Sequence, residues 1–166
     1  MDAIPPTPAA PPPAEPVTNP DAVVLPVSDP TNTTPASPTI LIVEDDMVLQ
    51  ELYFDRFTSA GLTVYQAYDG LQALDMLAEH PEVQLVLLDL MLPKLSGYDV
   101  LAQLKHKPEL RDIPVIIVSA LADIDDQARG LQLGASEYVT KGEMLPGDLI
   151  EKIKRYVLSV PGSATS

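Results

Sequence analysis

No cysteine occurs among the 166 residues, which excludes disulfides, thiolate catalysis and cysteine-ligated zinc. Positive charge is scarce: 10 Lys and Arg stand against 24 Asp and Glu, a net charge of −14. Nonspecific binding to nucleic acid or to an anionic membrane needs a basic surface, so neither partner is expected. No apolar run reaches the roughly 18 residues of a membrane span, and the N-terminus lacks the basic start and apolar core of a signal peptide. A cytoplasmic location is the resulting expectation. Bases are missing altogether from residues 1–38, which hold 12 of the 18 prolines. Such a segment cannot bury enough apolar surface to offset its ordering entropy, so a Pro-rich disordered N-terminal arm is expected there. The absence of flanking bases weakens the alternative of a proline-rich ligand for an SH3-like groove. A flexible tail is expected over 159–166.

Residues 39–158 have a different character. The chain is 46% apolar overall, enough for a core, and apolar runs alternate here with segments of helical spacing. Thr39–Val43 reads as a first strand, followed by a helix from about Asp46 with Leu49, Leu52, Tyr53 and Phe57 on one face. Leu62–Ala67 is a second strand, and Asp69-Gly70 turns into a helix carrying Leu71, Leu74 and Leu77. Gln84–Leu88, Pro114–Val118 and Ser136–Val139 read as the remaining strands. Helices are expected over Gly97–His106, from about Asp123 to Gly134, and over Pro146–Leu158. Five βα units imply an α/β fold: a five-stranded parallel sheet with helices on both faces. The uniformly apolar first, third and fourth strands belong in its centre, and the second, with Thr63, Tyr65 and Gln66, at an edge.

In such a sheet all C-terminal strand ends open onto one rim, where ligands bind. Glu44-Asp45-Asp46 follows the first strand, Asp89 the third, Ser119 the fourth and Lys141 the fifth. An acid gains nothing inside a strand buried on both faces, so Asp89 belongs at that rim. Carboxylates suit Mg²⁺, a carboxylate can attack phosphorus, and a hydroxyl and an ammonium can contact phosphoryl oxygens. The collection points to phosphoryl transfer. Asp46 is better placed as a helix N-cap than as a ligand. His80 and His106 lack partners at metal or catalytic spacing and read as surface residues.

The segments ILIVEDD, LLDLMLPKLSGYDVL, VIIVSA and GASEYVTK, all within residues 39–158, closely resemble the receiver domain of bacterial response regulators. Successive gaps of 44, 30 and 22 residues separate Asp45, Asp89, Ser119 and Lys141 in the family's order. The resemblance implies a doubly wound (βα)5 flavodoxin-like fold with strand order 2-1-3-4-5, as in the chemotaxis member. It implies that Asp89 is the phosphoacceptor for a sensor histidine kinase or phosphotransfer protein. Glu44, Asp45, Asp89 and the backbone carbonyl of Met91 would bind Mg²⁺. Ser119 and Lys141 would contact the phosphoryl group, and Ser119 with Tyr138 would form the switch, the ring swinging inward as the hydroxyl moves. No output domain follows residue 158 in this sequence, so a stand-alone receiver is expected, signalling to an unknown downstream protein and not acting as an enzyme on other molecules.

Two departures qualify the match. The family usually has Pro after the lysine, often preceded by a cis bond, where this chain has Gly142; a cis bond before a non-proline costs roughly 3 kcal/mol, so a trans bond and a displaced loop are expected. The fourth helix, fifth strand and fifth helix form a two-fold face in many members. Arg129, Glu137, Lys154 and Arg155 supply part of its charge here while Gln132 and Ser136 are neutral, which leaves a homodimer open. The rival readings are a scaffold that works without phosphorylation and a Mg²⁺-dependent phosphohydrolase, for which no general acid or substrate cap is evident.

Overall fold

Alternating side chains on three central strands build two cores, one on each face of a single sheet. The structure, a computed structural model, describes residues 36–159. The expected arm lies outside the described residues up to position 35, and the tail from 160 onward does too. The elements run β1 (Thr39–Val43), α1 (Met47–Ser59), β2 (Thr63–Ala67), α2 (Gly70–Glu79), β3 (Leu85–Leu88), α3 (Gly97–His106), β4 (Val115–Ser119), α4 (Ile124–Gln132), β5 (Glu137–Thr140) and α5 (Pro146–Leu158). All pairings are parallel, in the order β2-β1-β3-β4-β5, the doubly wound α/β arrangement expected from the sequence.

Ile40, Ile42, Leu85, Leu87, Ile116 and Val118 face one way, against Tyr53 and Phe57 of α1 and Leu149, Ile153 and Val157 of α5. Leu41, Val43, Val86, Leu88, Val115 and Ile117 face the other, against Ala73 and Leu77 of α2 and Val100, Leu101 and Leu104 of α3. The period of two along each strand assigns every residue to its face. The fourth helix contributes only Gly130 to the buried set. A Cβ there would stand 2.6 Å from Ile117 Cδ1, so the missing side chain is what lets α4 lie against the sheet.

Two helical stripes differ from expectation. Helix α1 buries Gln50, Tyr53 and Phe57, while Leu52 is 41% exposed. The buried line runs through positions 50, 53 and 57, which leaves Leu52 at its margin. In α2, Leu71 is 50% exposed, since the helix turns Gly70, Ala73 and Leu77 inward.

Caps fix where two helices begin. Asp46 accepts from the backbone N–H groups of Val48 at 2.9 Å and Leu49 at 3.1 Å, as expected of an N-cap. Asp69 caps α2, accepting from Gln72 N–H, and pairs with Lys94 Nζ at 2.8 Å. The Gln72 N–H and then Lys94 hold its carboxyl below the ordinary value of 3.8. A depressed carboxyl stabilises the fold fully above its unfolded value and loses that contribution as pH falls through the lower folded value. Asp69→Asn retains a capping oxygen and cannot titrate. Its acid unfolding, followed by circular dichroism, is expected to depend less on pH below 3.8 than the parent's.

Candidate functional site

Strand register brings the polar residues together. Val43 pairs with Leu88, so Glu44 and Asp89 leave adjacent strands side by side, and Asp89 N–H donates to Val43 O at 3.0 Å. Ser119 pairs with Thr140, and the next residue, Lys141, donates its N–H to Ser119 O at 2.7 Å. Glu44, Asp89 and Ser119 are all buried despite their polarity, a cost that only partnered groups sustain.

Their partners are Lys141 and nearby backbone N–H groups. The Lys141 ammonium lies 2.7 Å from Glu44 Oε2 and 2.9 Å from Asp89 Oδ2. Glu44 Oε1 accepts from Asp46 N–H at 3.2 Å, and Asp89 Oδ1 accepts from Met91 N–H at 3.2 Å. Asp45 is exposed, and its carboxylate joins those of Glu44 and Asp89 with oxygens within 4.8 Å of one another. Burial pushes the Glu44 carboxyl up, with the Asp89 charge adding to it and the Lys141 hydrogen bond opposing. For Lys141 burial works to lower the ammonium, and its bonds to Glu44 and Asp89 outweigh that and hold it above the ordinary 10.5. Three clustered carboxylates with one ammonium carry an excess of negative charge. Hard oxygen donors in that arrangement fit a small divalent cation such as Mg²⁺.

The remaining expected residues sit on the same rim. Ser119 Oγ accepts from Leu121 N–H at 3.2 Å, while the Tyr138 hydroxyl donates to Leu121 O at 2.7 Å. The Tyr138 ring packs against the core on the α2 and α3 side, and burial pushes its hydroxyl pKa up. Met91 is exposed in the loop after β3. The Lys141–Gly142 bond is trans, and Gly142 takes a φ of 91°, a conformation that favours glycine. His80 is half-buried, stacked on Tyr65 with centroids 4.0 Å apart and 3.1 Å from Glu82. It is not at the rim, and His106 is exposed at the end of α3.

Gly97 keeps the site close to α3. Its N–H donates to Leu90 O at 2.9 Å. A Cβ at position 97 would overlap the Asp89 carbonyl oxygen and stand 2.6 Å from Leu90 Cα. Gly97→Ala is expected to destabilise the fold by about 2 kcal/mol and to weaken Mg²⁺ binding, as read by thermal melts with and without the ion.

One buried residue at this rim escapes the sequence patterns. Gln50 of α1 is fully buried, and its side-chain amide donates to the carbonyls of Ile42, Glu44 and Ala67. The signal that could have found it is a polar residue three before Tyr53 and seven before Phe57, in the stripe that faces the sheet.

A profile of the response regulator receiver domain matches residues 40–154. The chain belongs to this family. The receiver is 38% identical over 118 residues to the DNA-binding dual master transcriptional regulator RpaA of a Synechocystis strain, covering 71% of this chain and 47% of RpaA. It is 39% identical over 119 residues to the polar-differentiation response regulator DivK of Brucella anthropi, covering 72% of this chain and 95% of DivK. The chain thus spans about half the length of RpaA and nearly all of DivK. Among solved structures, the phosphorylated cyanobacterial phytochrome response regulator RcpA superimposes with a TM-score of 0.66 at 30% identity, over 75% of this chain and 96% of that one. Receivers are signalling domains of two-component systems that bind Mg²⁺ at an acidic pocket and meet histidine kinases or phosphotransfer proteins. Among the described residues no helix is long and apolar enough to cross a membrane.

Proposed function

We propose that this receiver takes a phosphoryl group onto Asp89 from the phosphohistidine of a sensor histidine kinase or phosphotransfer protein, and signals through a protein contact that depends on it. The observation that carries the reading is a buried Asp89 with Lys141 at 2.9 Å and the carboxylates of Glu44 and Asp45 clustered beside it. Glu44, Asp45, Asp89 and the Met91 carbonyl would hold Mg²⁺, which, when bound, offsets charge on the phosphoryl oxygens and on the carboxylates.

An Asp89 carboxylate oxygen forms a bond to phosphorus. The bond from phosphorus to the donor's imidazole nitrogen breaks, and its electron pair returns to that nitrogen, which takes up a proton. Lys141, already at the carboxylate, supplies positive charge to the transferred group, and Ser119 supplies a hydroxyl. Hydrolysis reverses the state: water attacks phosphorus, the acyl phosphate bond breaks, and the carboxylate and inorganic phosphate are released. Neither step acts on a third molecule, so the chain is a switch rather than an enzyme.

Ser119 and Tyr138 connect the site to the signalling face. Both bond to the backbone of Leu121, in the loop that leads into α4. A shift of Ser119 toward the phosphoryl group alters that loop, and phosphorylation acts by favouring one of two arrangements. The face of α4, β5 and α5 is the proposed contact. Two of its charges already have partners within the chain: Arg129 lies 4.1 Å from the Tyr98 ring centroid, and Glu137 pairs with Lys152 at 2.6 Å and accepts from Tyr156 at 3.0 Å. This favours a different downstream protein over a homodimer held by matched charges. The scaffold reading loses its support, because Gly142 leaves Lys141 in contact with both acids.

Incubation with acetyl phosphate tests the reading. One phosphoryl group per chain is expected by intact mass with Mg²⁺ present, and none with the ion chelated; no incorporation in either condition would favour the scaffold.

A further inference from the structure

We infer that Gln50 is a positioning residue for the Glu44 and Asp45 carboxylates, setting the affinity of the rim for Mg²⁺; the inference rests on the phosphoacceptor reading above. Position 50 lies on the sheet-facing stripe of α1, where an apolar residue would serve packing. A fully buried amide there needs partners, and those of its Nε2 are all backbone carbonyls at the corner where the acid run starts. Nε2 donates to Ala67 O at 2.8 Å, Glu44 O at 3.2 Å and Ile42 O at 3.3 Å. Three carbonyls share two hydrogens, which puts the nitrogen at the corner where β1 ends beside the end of β2.

The same corner holds the Glu44 backbone from both sides. Its N–H donates to Ala67 O at 3.0 Å, and its carbonyl accepts from Gln50. Gln66 of β2 completes the arrangement, its amide lying 3.4 Å from both Gln50 Oε1 and Gln50 O. From this fixed backbone the Glu44 side chain reaches Lys141 at 2.7 Å and joins the carboxylate cluster. Mg²⁺ demands near-octahedral ligands at about 2.0–2.1 Å, so small backbone displacements at Glu44 and Asp45 change how well the carboxylates converge. Groups that orient ligands without touching the ion commonly influence metal affinity on the order of tenfold or more.

The test is calorimetric titration of the full chain with MgCl₂ at fixed ionic strength, comparing the parent, Gln50→Met, Gln66→Met and Leu77→Val. Methionine keeps the length of Gln50 and removes its donors, so its Kd for Mg²⁺ is expected to rise on the order of tenfold. Gln66→Met leaves those donors and loosens the amide that bears them, for a rise of about threefold. Leu77→Val disturbs the buried packing of α2 at the end remote from the rim; it is expected to lower the melting temperature and leave Kd unchanged. A folded Gln50→Met with the parent's Kd overturns the inference, as does a Leu77→Val chain whose Kd rises equally. If Gln50→Met does not fold, an unchanged Kd in Gln66→Met overturns it. A parent that binds no Mg²⁺ overturns the phosphoacceptor reading as well, whereas a binding parent with unaltered variants overturns the role of Gln50 alone.

Discussion

Asp89→Asn is expected to abolish phosphoryl incorporation completely, from acetyl phosphate and from a phosphohistidine donor alike, while the chain remains folded. The amide fits the same space. Its single oxygen can accept from Met91 N–H, which lies 3.2 Å from Oδ1, or face Lys141, which lies 2.9 Å from Oδ2, but not both, and Lys141 keeps Glu44 as a partner. It offers no carboxylate to form an acyl phosphate. Stability is expected to stay level or rise, because Glu44 and Asp45 crowd Asp89 with carboxylate oxygens within 4.8 Å, and removal of one negative charge relieves repulsion that a single ammonium does not cancel. A thermal melt read beside the mass measurement separates loss of chemistry from loss of fold. An unfolded variant would mean that the Asp89 charge itself holds the rim together.

The second large effect is expected from Lys141→Met, which keeps the stem of the side chain and removes its charge. Phosphoryl transfer should slow by about a hundredfold or more, the usual consequence of losing one charged contact to a developing phosphoryl or oxyanion group. Mg²⁺ affinity should move the other way. The ammonium stands between Glu44 at 2.7 Å and Asp89 at 2.9 Å, where it competes with a cation for the same oxygens. Slower transfer with tighter metal binding is a combination that general damage to the site would not produce.

The variant should also differ in alkali. The contacts to Glu44 and Asp89 overcome burial and hold the Lys141 ammonium above its ordinary 10.5. A raised ammonium stabilises the fold fully below its unfolded value and loses that contribution as pH rises through the higher folded value. The parent should therefore lose stability more steeply than Lys141→Met above pH 10.5, as followed by denaturant unfolding at a series of pH values.

Much of this site was legible in the chain because parallel strands impose a simple rule: the residue following each strand lies on the rim. Glu44, Asp45, Asp89, Ser119 and Lys141 all follow or end a strand, and the register of β1 with β3 and of β4 with β5 brings them together. The cores were legible for a related reason, since apolar runs on β1, β3 and β4 can only be buried on both faces.

What was not legible depends on contacts between segments distant in sequence. Gln50 is polar at a core position, and its partners include Ala67, 17 residues away, which no helical period reveals. Leu52 and Leu71 fit an apolar stripe by spacing, yet lie at its margins because each helix rotates to bury neighbouring positions. The α4 contact rests on the absence of a side chain at Gly130, which leaves no apolar signal. Tyr138 bonds to the Leu121 carbonyl, a backbone partner that no side-chain pattern announces.

In the proposed function one carboxylate, Asp89, carries the phosphoryl group. Borohydride trapping of the acyl phosphate after treatment with acetyl phosphate and Mg²⁺, followed by peptide mass mapping, tests it most directly. Reduction is expected to mark Asp89 and to leave Glu44 and Asp45 unmarked. A mark on either of those acids, or on none of the three, would contradict it.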